Sequence, residues 1–237
     1  PIFRLYFETA LEALARGEDN RRFLISEAGG LIQSIDFDTQ SVTTAISPLT
    51  DAEVGLLIVT GHPVELHLDT ALAKRVRRIA TNRITADLAL RFYILPPDHA
   101  VYPDTRCHRL WPSDLTEIRN FARRHNPATI FSDWMIDLPL LGVRLAGELE
   151  AIGGVIASHS GSGARMLGNF VTAPEARGQG YAKALCGTLA ATSRAAGYDT
   201  IALCTTRDNV PACRAYEAVG FRCMETRTQI ELAAPNP

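Results

Sequence analysis

Residues 169–185, NFVTAPEARGQGYAKAL, constrain the fold more than any other stretch. The hydrophobic period changes there from two to about 3.6, so a strand must feed a helix across one short turn. A helix start leaves its first N–H groups without intrahelical partners and carries partial positive charge. Gly178 and Gly180 allow close backbone approach there, and Arg177 adds a permanent cation. The following helix places Ala182, Leu185, Cys186 and Leu189 on one face, which anchors it to a core. Such a turn is either an anion cradle on a rigid element or a plain glycine turn.

The same strand–helix alternation runs through the chain. Residues 3–16 read as a helix stopped by Gly17. RFLISEAGGLIQSIDFDTQSVTTAIS reads as three short strands, turning at Gly29-Gly30 and Asp38-Thr39. A helix capped by Thr50 or Asp51, the strand PVELHL, a helix capped by Asp69 and the strand DLALRFYIL follow. Pro96-Pro97-Asp98 breaks the pattern and is the linker candidate, dividing the chain into 1–98 and 99–237. The second part reads as the strand RCHRL, a helix capped by Ser113, a hairpin turning at Gly147, and the strand ARMLGNFVTA. It continues with the glycine turn, a helix stopped by Gly197, the strand TIALCTT, a helix over 210–219 and the strand FRCMETRTQIEL. The element order of the two parts is loosely similar, as a diverged duplication would leave it. The residues AAPNP read as a frayed tail.

Composition narrows the function. The 24 basic and 26 acidic residues give a net charge of −2, with no electrostatic case for nucleic acid. No apolar run approaches the ~18 residues that cross a bilayer, and the opening PIFRLYFETALEAL lacks a secretory pattern. The chain starts with proline, so preceding residues and targeting stay open. Five scattered cysteines, Cys107, Cys186, Cys204, Cys213 and Cys223, fit reduced thiols in the cytoplasm. No histidine is spaced for a metal site with them; His62 and His67 fall in a loop and a strand. No metal is expected.

Two standard phosphate loops do not fit. A Walker loop ends G-K-[ST], but Tyr181 and Ala182 follow Gly180; in a Rossmann fingerprint the third glycine would replace Lys183. Downstream, RDNVPACRAYEAVGF carries Asp208 or Asn209 as a helix cap, Pro211 in the first turn and Gly220 at the end. Asn209, Cys213 and Tyr216 share one helical face. Taken alone, Tyr216 could equally be a core residue.

The two motifs together closely resemble the GNAT superfamily of acyl-CoA-dependent N-acyltransferases over about 106–232. Its [QR]-x-x-G-x-[GA] pattern is met by Arg177, Gly180 and Ala182, and its later motif by Asn209, Ala212, Tyr216 and Gly220-Phe221. The resemblance implies a mixed α/β (α+β) fold with a central sheet flanked by helices, acetyl-CoA as cosubstrate, and an amine acceptor. It also implies roles. The backbone of Phe170, Val171 and Thr172 would hold the pantetheine arm and thioester carbonyl, with the Val171 N–H facing the oxyanion. The N–H groups of Arg177, Gly178, Gln179, Gly180, Tyr181 and Ala182 would cradle the pyrophosphate. Asn209 would bond the arm, beside the small Ala212, and Tyr216 would protonate the departing thiolate.

Glu148, Glu150 and Asn169 lie nearby, but no motif marks a general base. The first part lacks the glycine pattern: SVTTAIS runs into PLTDAE. It is expected to be a second α/β unit, of GNAT-like form without the cradle. The cysteines make poor nucleophiles, so direct transfer to a primary amine is expected, with a small molecule or a peptide as acceptor. An oligomer stays open, while a membrane or nucleic-acid partner is not expected. The rival function is a non-catalytic acyl-CoA sensor; ATP binding would need the missing lysine and Ser/Thr.

Overall fold

The computed structural model describes residues 21–37, 40–59, 61–127, 129 and 131–235. The helix expected over 3–16, the turn at Asp38-Thr39 and the last two residues lie outside the described residues. Strands β1 (Arg21–Ile25), β2 (Leu31–Asp36) and β3 (Ser41–Ile46) form an antiparallel meander. Helix α1 (Asp51–Ile58) starts on a capping box: Thr50 accepts from the Glu53 N–H, and Glu53 accepts from the Thr50 N–H at 2.7 Å. Strand β4 (Val64–Leu68) runs parallel to β3, and α2 (Thr70–Ile79) is capped by Asp69, which accepts from Ala71 and Leu72. Strand β5 (Ile84–Leu95) closes this half.

The second half holds β6 (Cys107–Arg109), α3 (Leu115–His125), the hairpin β7 (Leu140–Leu145) and β8 (Glu148–His159), and β9 (Ala164–Thr172). Helix α4 (Tyr181–Ala195), β10 (Thr200–Thr206), α5 (Val210–Val219) and β11 (Arg222–Leu232) complete it. The hairpin turns at Ala146 and Gly147, both with positive φ, as expected. Ser113 is not the cap of α3. Pro112 opens a 3-10 turn over Pro112–Asp114, which delays the helix, and the Asp114 carboxylate takes the Trp111 N–H at 2.7 Å.

Among the described residues, the strands join one 11-stranded mixed sheet in the order β1-β2-β3-β4-β11-β5-β10-β9-β8-β7-β6. The mixed α/β class is as expected. The halves exchange their last strands: β5 lies between β10 and β11, and β11 lies between β4 and β5. Helices α1 and α2 pack on one face around Leu66, Leu72, Val76 and Ile230. Helices α4 and α5 pack on the same face around Tyr93, Leu95, Leu189 and Leu203. The cross-strand partners Ile230 and Asp87 carry that face from one half to the other. Helix α3 lies on the opposite face, around Ile118, Ile152 and Val171.

This exchange makes a testable claim. A fragment of residues 99–237 lacks β5, and with it the buried Leu90, Phe92, Tyr93 and Leu95. Each such side chain contributes about 1.5–3 kcal/mol when buried, so losing them removes much of a domain's ~5–15 kcal/mol. The fragment is expected to show no cooperative urea transition by circular dichroism. A transition matching the full chain would mean that β5 is dispensable.

Candidate active site

Strands β9 and β10 pair in parallel from Ala164↔Thr200 to Leu167↔Leu203 and then part. Beyond that point β9 stays with β8 as far as Thr172↔Ala151, and β10 stays with β5 as far as Thr206↔Leu90. A bulge on β9 bends it away. Gly168 faces Gly154 and Val171 faces Ile152, so Asn169 and Phe170 together oppose Gly153. Asn169 takes the left-handed conformation (φ 55°), which asparagine tolerates better than most residues. The Phe170 ring lies over Gly153, where a Cβ would come within 2.5 Å of it.

The ladder decides which amides face the wedge. Ala173 N–H donates to the Glu150 carbonyl at 2.9 Å. Hydrogen-bonded pairs alternate along an antiparallel ladder, so Val171 and Ile152 form the next bonded pair. The Val171 N–H is therefore spent on β8, and the expected oxyanion donor is corrected: the backbone turned to the wedge belongs to Phe170 and Thr172.

The glycine turn forms the wedge's rim. After a 3-10 turn over Pro174–Ala176, Arg177 is extended and Gly178 has φ 79°. Gly180, the N-cap of α4, is left-handed (φ 75°) and supplies no side-chain cap. The first helical bond runs from Ala184 N–H to Gly180 O at 2.9 Å. Among the described residues, no N–H of residues 178–183 takes a protein acceptor. Gln179 and Lys183 are exposed, and Tyr181 and Ala182 half-buried. These open donors, with the cations Arg177 and Lys183, fit a pyrophosphate. Arg106, which no motif marked, joins them: its Nη1 donates to the Gln179 carbonyl at 3.2 Å. The Arg106 guanidinium also holds the Asp104 carboxyl far down, at about 2. Thr188 accepts the Asp104 N–H at 2.8 Å, tying the segment before β6 to α4.

The matching place in the first half is closed. Thr50 and Glu53 occupy the start of α1, and Ser26 donates to Glu53 at 2.7 Å.

On the β10 side, Asn209 caps α5 through Ala212 N–H (3.4 Å) and donates to Thr205 Oγ1 at 3.1 Å. Two turns on, Tyr216 is buried between the rings of Phe170 (centroids 5.6 Å) and Tyr93 (6.1 Å). Burial pushes its hydroxyl well above the usual tyrosine range, so it keeps its proton. Tyr93 arrives on the exchanged strand β5, and its hydroxyl donates to Glu217 Oε1 at 3.2 Å. No local pattern could have placed it beside Tyr216. Cys186 is buried and its thiol is pushed up by desolvation, which suits a core residue and not a nucleophile. Among the described residues, no His, Cys, Asp and Glu group is arranged to hold a metal. No helix there is long and apolar enough to cross a membrane.

Residues 105–221 match the model of the acetyltransferase (GNAT) family. The segment is a GNAT acetyltransferase domain. The match contains both motifs, the bulged strand and Tyr216, and it supports acyltransferase activity of the GNAT type for that domain. Solved structures share the fold over nearly the whole chain. A Novosphingobium aromaticivorans protein described as belonging to the GNAT family is 20% identical, covers 96% of each chain and has a TM-score of 0.70. A Drosophila protein reaches 0.73 at 14% identity, covering 98% of this chain and 90% of its own. A GCN5-related N-acetyltransferase from Kribbella flavida reaches 0.62 at 17% identity, covering 98% and 96%. No curated protein sequence matches the chain.

Proposed function

We propose that this GNAT acyltransferase moves an acetyl or other short acyl group from coenzyme A to a primary amine, directly, within a ternary complex. The observation that carries this reading is an arrangement: open N–H groups at the start of α4, the parting of β9 and β10, and Tyr216 against Phe170 of the bulged strand. Acetyl-CoA would supply an activated thioester carbonyl and a thiolate leaving group. The cradle N–H groups, Arg177, Lys183 and Arg106 neutralise the pyrophosphate. Thr172 holds the pantetheine arm as a neighbouring strand would, with Asn209 and the small Ala212 on the far wall. The Phe170 N–H polarises the carbonyl and stabilises the oxyanion, in place of Val171. As the amine nitrogen bonds to carbon and the C–S bond breaks, Tyr216 gives its proton to sulfur. The proton shed by the amine returns to Tyr216 through water, which balances the reaction.

The linker at 96–98 separates two units of related layout, of which only the second keeps the cradle. The scattered cysteines suit a reducing, cytoplasmic setting. Titration with acetyl-CoA is expected to give one site per chain, because Thr50 and Glu53 close the start of α1. Thiol release should then require an added amine, with no acylated protein visible by mass spectrometry. Two equivalent sites, or an acyl-protein formed without amine, would contradict the reading. Tight binding without any amine-dependent release would favour the sensor.

A further inference from the structure

The core around Tyr216, beneath α4 and α5, fills one side of the wedge, so an acceptor must approach from the opposite face. On that face a cavity of about 530 Å³ lies between the two halves. Its size falls within the ~300–1,000 Å³ usual for small-molecule sites. The end of β2 contributes Asp36 and Phe37; the second half contributes Arg119, Arg123, Phe131 and Trp134. The second-half wall is tied to the β9 bulge. Met135, next to Trp134, accepts a hydrogen bond from Asn169 Nδ2 at 3.1 Å, at the β9 bulge. Phe131 packs on the core that contains Val171.

Both carboxylates of the lining, Asp36 and Asp133, are already paired. Arg119 is forked on Asp133, with Nε at 2.7 Å from Oδ1, and Asp36 is paired with Arg22. Arg123 has no carboxylate partner among the described residues. Among the described residues, the lining thus includes three aromatic residues and one cation without a carboxylate partner, the exposed Arg123. Such a lining gives one negative charge a partner and offers rings on which an apolar group can pack.

We propose that this cavity between the halves is the acceptor site and that its ligand is an amino acid with an apolar side chain. Arg123 holds the carboxylate, and Phe37, from the first half, packs on the side chain. The inference rests on the transferase reading above and names its substrate class. The first half then selects the substrate, a role its lack of a cradle leaves open.

The test is calorimetric titration of the full chain, without acyl donor, using L-phenylalanine and L-leucine against phenethylamine and isoamylamine, their decarboxylated counterparts. At least one amino acid should bind about tenfold or more tighter than its amine, the scale of one charged hydrogen bond. Arg123→Gln should erase that preference. Phe37→Ala should weaken phenylalanine binding several-fold, with acetyl-CoA affinity unchanged in both variants. Equal binding of acid and amine, binding of none of the four, or variants without effect would overturn the proposal. Acetyl-CoA titration of the same samples reads the cosubstrate site separately. Intact acetyl-CoA binding with no acid preference would therefore reject the amino-acid site and leave the transferase reading standing.

Discussion

Tyr216→Phe should lower the maximal rate by roughly ten- to ten-thousand-fold, the range of a general acid, and leave acetyl-CoA binding nearly unchanged. The ring would remain wedged between Phe170 and Tyr93, so the packing survives. Stability should change by no more than about 1 kcal/mol. The raised hydroxyl pKa adds a second expectation. A general acid works only while protonated, and Tyr216 stays protonated through the ordinary tyrosine range near pH ~10. The parent enzyme's rate should therefore show no basic limb from this residue below that pH. Steady-state kinetics and urea unfolding on the same variant separate the two roles. A Tyr216→Phe variant with the parent's maximal rate, whatever its stability, would remove the hydroxyl from the mechanism, and water would have to supply the proton.

Gly180→Val should raise the dissociation constant for coenzyme A by about tenfold or more while the protein stays folded. A Cβ at Gly180 would meet nothing within 4 Å, so crowding within the protein is not the cause. The cause is the backbone: φ is 75°, and a β-branched residue there costs on the order of 1–3 kcal/mol. Valine relieves that strain by turning the peptide units at the start of α4, which re-aims the N–H groups of 178–183. Anion binding at a helix start depends on those groups converging, so affinity falls. Calorimetric titration checks the affinity and circular dichroism the fold. An unchanged dissociation constant in a folded variant would mean that the pyrophosphate is held elsewhere.

Much of this protein was legible locally. Asp69 caps its helix as the sequence predicts, and Thr50 and Asn209 are the caps among the pairs it offered, Thr50 or Asp51 and Asp208 or Asn209, because a cap is an interaction across two or three residues. The turns at Gly147 and Gly180 follow from glycine's access to positive φ. Ser113 failed for an equally local reason: Pro112 stabilised a preceding 3-10 turn that the helical pattern does not reveal.

Strand partnership was not legible. Alternating residues tell β5 and β11 which side chains to bury, but not which strands to bury them against. The exchange that brings Tyr93 to Tyr216 was settled by packing across the whole sheet. The same holds for the amides. Both Val171 and Phe170 lie in a readable strand, yet which N–H faces the wedge depends on register with β8 and on one bulged residue, Asn169. By itself the sequence determined most of the described elements, the glycine turn before α4 and the place of Tyr216 on its helix, through contacts between near neighbours. Only the tertiary structure decided the candidate oxyanion donor, the partner of Tyr216 and the cavity between the halves, because each depends on pairing between segments far apart in the chain.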